Sequence, residues 1–268
     1  MGKKVLITGV SKGIGRAIAE KFLKEGYSIF GTFFNDETMA LELQQNFGEK
    51  KVKLFGPFDF TNIEEAERFL NEIVNYKFDA VVCNAGVFNE NDDFNNFDID
   101  IFNKTMNCNF YTPLILTTGL KDNIHDNGAI VIISSNDAYP GAFSSMSYSI
   151  SKSALISLMK CLSVNYGLKK IRVNSVSPGA IDTDMNTKEQ MNIAPYFTPI
   201  SRVGNVNDVA KVVYFLASDE ASFISGENIT IDGGYSIMSI LLKSEATPDL
   251  SDYLQKFIKS KNNNTILD

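Results

Sequence analysis

Tyr148 and Lys152 stand four residues apart in Tyr148-Ser-Ile-Ser-Lys152, thirteen residues after Ser135. On a helix this spacing puts a phenol and an ammonium on one face, one turn apart. A neighbouring ammonium favours the phenolate and draws the phenol pKa from about 10 toward working pH. A tyrosine tuned in this way serves as general acid in one direction and general base in the other. Taken alone, the pair is equally an ordinary helical neighbour pair. Its weight comes from the rest of the chain.

Near the N-terminus, Thr8-Gly9-Val10-Ser11-Lys12-Gly13-Ile14-Gly15 joins an apolar run to a helical pattern. Glycines there allow a tight turn and let backbone N–H groups approach a pyrophosphate at the positive end of a helix. The spacing is G-x3-G-x-G, not G-x-G-x-x-G, and a turn that merely connects strand to helix fits it as well. Asp59-Phe60-Thr61 and Asn84-Ala85-Gly86 end later strand-like runs, at the same edge of a sheet. Asp59 can accept a hydrogen bond from an adenine amino group, and Asn84 can fix neighbouring backbone. A nucleotide pocket with a proton donor beside it is the equipment for moving a hydride to or from a carbonyl.

These residues need elements to hold them. Short β-branched runs at 5–8, 28–34, 52–58, 80–84, 129–134, 172–177 and 228–232 read as parallel strands buried on both faces. Helical patterns lie between them at 15–25, 37–47, 63–76, 99–118, 148–166 and 206–217. The alternation predicts an α/β fold: a single-domain, Rossmann-like, doubly wound parallel sheet of about seven strands with helices on both faces. Residues 1–236 read as the nucleotide-binding and catalytic domain, and 237–268 as an amphipathic C-terminal extension with loose final residues. Two segments break the pattern: 184–199, which reads as a mobile flap carrying Met185, Met191, Tyr196 and Phe197, and the extension 237–268; the polar stretch 123–128 reads as a turn.

Composition narrows the function classes. The chain has 268 residues, 44% hydrophobic and 21% charged, enough for one large core. A formal net charge of −7 argues against nucleic acid or anionic membrane as a partner held by charge. No apolar run approaches the roughly 20 residues that span a bilayer. Met1-Gly2-Lys3-Lys4 leads directly into a strand, without room for a signal peptide. Cys83, Cys108 and Cys161 lack a CxxC spacing and read as reduced core thiols of a cytoplasmic protein. His125 is the only histidine, which argues against a His-based triad or a multi-histidine metal site, so no metal is expected.

Taken in order, Thr8–Gly15, Asp59, Asn84-Ala85-Gly86, Asn109, Ser135, Tyr148, Lys152 and Pro178-Gly179-Ala180-Ile181-Asp182-Thr183 resemble the motif series of the short-chain dehydrogenase/reductase family. Arg202-Val-Gly204 and Ile231-Asp232-Gly233-Gly234 resemble its C-terminal signatures. Within the family, the chain looks most like the 3-oxoacyl-carrier-protein reductase group. The resemblance implies that Ser135 binds the substrate oxygen, with Ser134 as the alternative serine. It implies that Lys152 also holds the nicotinamide ribose and that Asn109 positions a water linking Lys152 to solvent. Cofactor contacts are implied for Gly9, Ser11, Lys12, Gly13, Ile14, Gly15, Asp59, Phe60, Asn84, Ala85, Gly86, Tyr148, Lys152, Pro178, Gly179, Ile181 and Thr183. A homo-oligomer, tetramer or dimer, is implied too.

The resemblance also bears on cofactor and substrate. Phe33 occupies the position where family members that use NAD carry an acid; Asp36 comes three residues later and is expected to point elsewhere. Lys12 suits a 2′-phosphate, with Thr32 or Asn35 as further donors, so NADP(H) is favoured over NAD(H); a solvated surface lysine is the alternative. Lys169 and Lys170 are candidates for docking a carrier protein, but the neighbouring 121–128 stretch is polar and slightly acidic, which makes such a partner doubtful. Asn136-Asp137 either lines a pocket for a polar, sugar-like substrate or caps a loop. The leading expectation is an enzyme interconverting a small carbonyl and a secondary alcohol. Its alternatives are a biosynthetic dehydrogenase of a sugar, polyol or natural-product intermediate, and a non-catalytic nucleotide-binding scaffold or redox sensor.

Overall fold

In the first strand, β1 (Lys4–Ile7), Val5 and Ile7 project into one hydrophobic core and Leu6 into another, and all three are inaccessible to solvent. That two-sided burial is repeated along a parallel sheet, which explains why its strands read as unbroken apolar runs. The computed structural model describes residues 2–89, 92–95, 97–142, 144–239 and 252. Six further strands follow: β2 (Ser28–Thr32), β3 (Val52–Phe55), β4 (Phe78–Cys83), β5 (Ile124–Ile133), β6 (Arg172–Pro178) and β7 (Asn228–Ile231). All pair in parallel, in the order β3-β2-β1-β4-β5-β6-β7. The expected seven-stranded, doubly wound architecture is present. The order reverses between β1 and β4, which opens a crevice at their carboxyl ends.

Helices α1 (Gly13–Lys24), α2 (Glu37–Phe47) and a later helix at Val206–Ala217 cover one face, through Ile18, Phe22, Leu43, Val213 and Leu216. The other face carries α3 (Ile63–Ile73), α4 (Ile99–Met106), α5 (Thr112–Gly119) and α6 (Met146–Tyr166), with Phe69, Leu116, Leu155 and Met159 in its core.

Four expectations need correction. The helix expected over 99–118 is interrupted by a wide, π-type turn at Asn107–Tyr111 between α4 and α5. Pro113 explains the break. It has no N–H for the carbonyl four residues back, that of Asn109, and its ring crowds that carbonyl. The polar stretch 123–128 is not a free turn: Ile124 starts β5 opposite Phe78, and the register then shifts while Asn127 takes φ +66°. Residues 188–197 of the expected flap form helix α7 (Lys188–Phe197), started by a capping box in which Thr187 and Gln190 satisfy each other's backbone N–H. The helix at Val206–Ala217 is thus α8. Cys83 and Cys108 are buried as expected, but Cys161 is exposed on α6. The extension expected over 237–268 lies outside the described residues, apart from residues 237–239 and Asp252. Among the described residues no helix is long and apolar enough to cross a membrane.

Candidate active site

The crevice is built by a clamp between β1 and β4. The Thr8 hydroxyl accepts from the N–H groups of Asn84 (2.9 Å) and Ala85 (3.0 Å), and the Asn84 amide donates to the carbonyls of Thr8 (2.9 Å) and Gly9 (3.1 Å). Gly9 and Gly13 lie at φ +74° and +58°, where side chains are strained. A Cβ at Gly15 would sit 1.9 Å from the Gly9 oxygen and 2.4 Å from the Asn84 amide nitrogen. The turn is therefore packed against the strand ends so closely that only glycine fits, and the N-terminus of α1 faces an open cleft of about 1220 Å³. That is room for a dinucleotide and a small second molecule.

The residues chosen from sequence on the glycine turn, at 59–60, at 84–86 and at 178–183 border this cleft, as do Ser135, Tyr148 and Lys152. Asn109 lies behind its wall. The Asn109 amide donates to the Val87 carbonyl (2.9 Å) and the Ser151 hydroxyl (3.1 Å), and its oxygen accepts from the Val87 N–H (2.8 Å). With its side chain so engaged, the group Asn109 offers to a water is the carbonyl stripped of its helical donor by Pro113. Gly86 keeps the intervening space open: a Cβ there would meet the Asn109 oxygen at 3.3 Å and the Lys152 ammonium at 3.4 Å.

Ser134 and Ser135 end up with different tasks. The Ser134 hydroxyl donates to the Lys152 carbonyl at 2.7 Å, which ties β5 to α6. Ser135 accepts from the Asp137 N–H at 3.1 Å and lines the cleft together with Tyr148. Tyr148 packs edge-on against Phe88, ring centres 5.1 Å apart. Lys152 is only 4% exposed and donates to the Ile133 carbonyl at 2.9 Å, with its ammonium 5.4 Å from the Tyr148 ring centre.

The electrostatics differ from expectation. Burial pushes the Tyr148 phenol up to about 12; the Ser135 hydroxyl opposes this and the Asp137 charge reinforces it. Burial pushes Lys152 down to about 8. In this protein environment desolvation outweighs the ammonium's pull on the phenol, because each charged form loses water on entering the wall.

The adenosine end also departs from expectation. Asp36 does not point elsewhere: its carboxylate meets the Lys12 ammonium at 3.1 Å, and Asp184 approaches the same ammonium at 3.6 Å. Lys12 is held above its ordinary pKa chiefly by the Asp36 hydrogen bond. Thr32 is unsuited to a phosphate because it is buried, and its hydroxyl accepts from the Gly9 N–H at 3.0 Å. One Asp59 oxygen is taken by the N–H (3.0 Å) and hydroxyl (2.7 Å) of Thr61, which fixes the carboxylate's orientation.

A family model described as enoyl-(acyl carrier protein) reductase matches residues 9–236, the span that builds this cleft. The chain belongs to the short-chain dehydrogenase/reductase family. Among similar proteins, L-rhamnose 1-dehydrogenase (NADP(+)) of Thermoplasma acidophilum is 32% identical over 249 residues, covering 88% of this chain and 97% of that protein. A 3-oxoacyl-[acyl-carrier-protein] reductase of Rickettsia conorii is 36% identical over 239 residues, covering 87% and 96%. A blue fluorescent protein from a metagenomic library, solved in complex with NADPH, superimposes with a TM-score of 0.81 at 27% identity, covering 87% of this chain and 98% of that one. This short-chain dehydrogenase/reductase is thus an NAD(P)-dependent enzyme acting between CH–OH and C=O groups. The glycine cradle, closed to any Cβ at Gly15, fits such a nucleotide.

Two features of the site were missed in the sequence. Asp36 is one; its place in a surface loop gave no signal of a turn toward Lys12. Asp92 is the other. The N-cap of α6, Ser145, is left-handed and makes no side-chain cap. Asp92 supplies the cap instead: its carbonyl accepts from the Met146 N–H (2.8 Å) and its carboxylate from the Ser147 N–H (2.6 Å). The helix that presents Tyr148 and Lys152 is anchored from 54 residues upstream (146 − 92), which no local pattern reveals.

Proposed function

We propose that this reductase interconverts a small-molecule carbonyl and a secondary alcohol with NADP(H), and that Tyr148 is the proton donor. The observation that carries this reading is that Ser135, Tyr148 and Lys152 line the same cleft as the glycine cradle, with the Lys152 ammonium 5.4 Å from the Tyr148 ring centre. When bound, the nicotinamide supplies a hydride in reduction and accepts one in oxidation. Pro178, Gly179, Ile181, Thr183, Asp59, Phe60 and Ala85 all line the cleft; the first four are assigned to the nicotinamide and the last three to the adenine.

In reduction, Ser135 hydrogen-bonds the substrate carbonyl oxygen and stabilises the charge that develops there. Hydride arrival at carbon moves the C=O π pair onto oxygen, and the Tyr148 phenol gives that oxygen its proton. The phenolate left behind is reprotonated through Lys152, whose supply runs by a water at the Asn109 carbonyl. A phenol raised to about 12 begins as the acid, which suits this direction. Oxidation reverses each transfer.

Lys152 sets the pH dependence. Its ammonium, lowered to about 8, is present below that pH and lost above it. Reduction is therefore expected to decline as pH rises through about 8. A Lys152→Arg variant, which stays charged, moves that limb to higher pH. Profiles of kcat/KM from pH 6 to 10 check this; a wild-type profile with no alkaline limb refutes it.

For the nucleotide, Lys12 is the cation at the adenosine end, and Phe33 replaces the acid that would hold a ribose diol. The NADP(+) named for the Thermoplasma dehydrogenase and the NADPH of the metagenomic protein support the same preference. A 2′-phosphate must take Lys12 from Asp36 and Asp184, so those acids temper the preference. The kcat/KM ratio of NADPH to NADH is expected above one. It should fall roughly tenfold in Lys12→Ala, the scale of one charge-assisted hydrogen bond, and rise in Asp36→Asn. A wild-type ratio below one overturns the NADP(H) preference.

A further inference from the structure

Phe34 borders the cleft, yet 44% of it is exposed. The chain reaches it directly from β2. The Phe33 N–H donates to the Phe55 carbonyl (3.1 Å), and the Phe33 carbonyl accepts from the Phe58 N–H (3.0 Å). Phe33 itself is turned in and 6% exposed, with its ring against Gly56, where a Cβ would meet it at 3.0 Å. Phe34 and Asp59 each follow one member of the bonded 33–58 pair, so they stand side by side beyond the ends of β2 and β3. Two other phenylalanines at this edge have partners. Phe58 stacks on Phe60, ring centres 6.0 Å apart, and carries the Arg68 guanidinium 4.2 Å from its own centre. Phe34 is in no ring or cation pair among the described residues. An apolar ring left open inside a cleft is surface that a ligand covers with a gain in free energy.

The order of the sheet decides which part of the ligand meets this ring. The glycine turn follows β1, and Ser135 follows β5. In the order β3-β2-β1-β4-β5, the ends of β2 and β3 lie on the opposite side of that turn from Ser135. A dinucleotide with its pyrophosphate on the turn and its nicotinamide beside Tyr148 must lay its adenosine half over β2 and β3. Adenine is the planar part of that half. Thr61 holds one Asp59 oxygen, which leaves the other to the edge of the base. Phe34 supplies a face.

We propose that Phe34 is the platform on which the adenine ring stacks, so that the base is held by ring contact and the 2′-phosphate separately by Lys12. The inference rests on the reading above for the nicotinamide's place beside Tyr148. Stacking of a base on an aromatic ring is indifferent to the ribose substituent, whereas Lys12 acts on the phosphate. Phe34 therefore sets the affinity for both nucleotides and leaves the preference between them to Lys12. The Lys12–Asp36 ion pair ties the loop just after Phe34 back to the glycine turn.

The test is nucleotide affinity by fluorescence titration of NADPH, NADH and NMNH, which lacks the adenosine half, in wild type, Phe34→Ala and Phe34→Tyr. Phe34→Ala is expected to weaken NADPH and NADH alike, by about tenfold, while NMNH and the Phe34→Tyr variant stay within roughly twofold of wild type. The chain contains no tryptophan, so Phe34→Trp carries a single emitter at the stack. Its emission is expected to be quenched by 2′,5′-ADP, the adenosine half alone, and unchanged by NMN. Thermal melts confirm that each variant is folded. Affinity of Phe34→Ala within roughly twofold of wild type for both dinucleotides overturns the proposal. So does a loss confined to NADPH, an equal loss for NMNH, or an emission that stays constant while 2′,5′-ADP displaces NADPH. A wild type that binds neither NADPH nor NADH overturns it together with the nucleotide reading of the cleft, a result distinct from the others.

Discussion

Replacing Tyr148 with phenylalanine is expected to lower kcat about a thousandfold or more while leaving the nucleotide dissociation constant within roughly twofold. The variant keeps the ring and its edge-on contact with Phe88, so packing around the helix start changes little. Only the phenolic oxygen goes, and with it the proton for the substrate oxygen. General acid catalysis by one side chain contributes typically 10²–10⁴-fold, and the small number of other donors at this wall leaves little to replace it. Ser135 is the nearest hydroxyl, but an alcohol is a far weaker acid than a phenol. Turnover followed at the nicotinamide absorbance and affinity by fluorescence titration separate the two quantities. Retention of a tenth of wild-type kcat would sink the assignment of Tyr148 as the acid.

The second large effect is expected at the cradle. Gly15→Ala places a methyl group 1.9 Å from the Gly9 carbonyl oxygen and 2.4 Å from the Asn84 amide nitrogen. Neither neighbour can give way freely. The Gly9 carbonyl belongs to the turn, and the Asn84 amide is committed to the carbonyls of Thr8 and Gly9. The turn must move, which misaligns its N–H groups toward the pyrophosphate. Nucleotide affinity is expected to drop about a hundredfold, with a stability loss of about 1–3 kcal/mol from overpacking. Gly167→Ala is the control. A Cβ there meets nothing within 4 Å and the backbone is helical, so affinity and Tm should hold. Equal affinity of Gly15→Ala and wild type for NADPH would show that the turn is no cradle.

Much of this architecture was legible in the chain because its signals are local. The unbroken apolar runs, such as Val5-Leu6-Ile7, report burial on both faces, and the helical patterns between them dictate parallel pairing. The glycine turn, Ser135 and the Tyr148–Lys152 spacing were legible for the same reason: each depends on a few adjacent residues. What was missed depends on distant neighbours. The break at Asn107–Tyr111 follows from Pro113 acting on a carbonyl four residues earlier, a signal present in the sequence but outweighed by the apolar pattern. Helix α7 was hidden by its polar composition, although Thr187 and Gln190 have capping-box spacing. Cys161 sits among apolar residues, yet helix rotation turns it outward. The Lys12–Asp36–Asp184 cluster joins three loops from three parts of the chain. The phenol's acidity was misjudged because proximity to Lys152 is readable from spacing, whereas the loss of water around both groups is a property of the folded wall.

The clamp of Thr8 on Asn84 joins positions 76 residues apart. A chain emerging from the ribosome therefore has no affinity for its nucleotide until β4 has followed β1 into place, however well the glycine turn has formed. Ligand added to refolding protein then acts late, by drawing the two halves of the sheet together through mass action rather than by seeding the first helix.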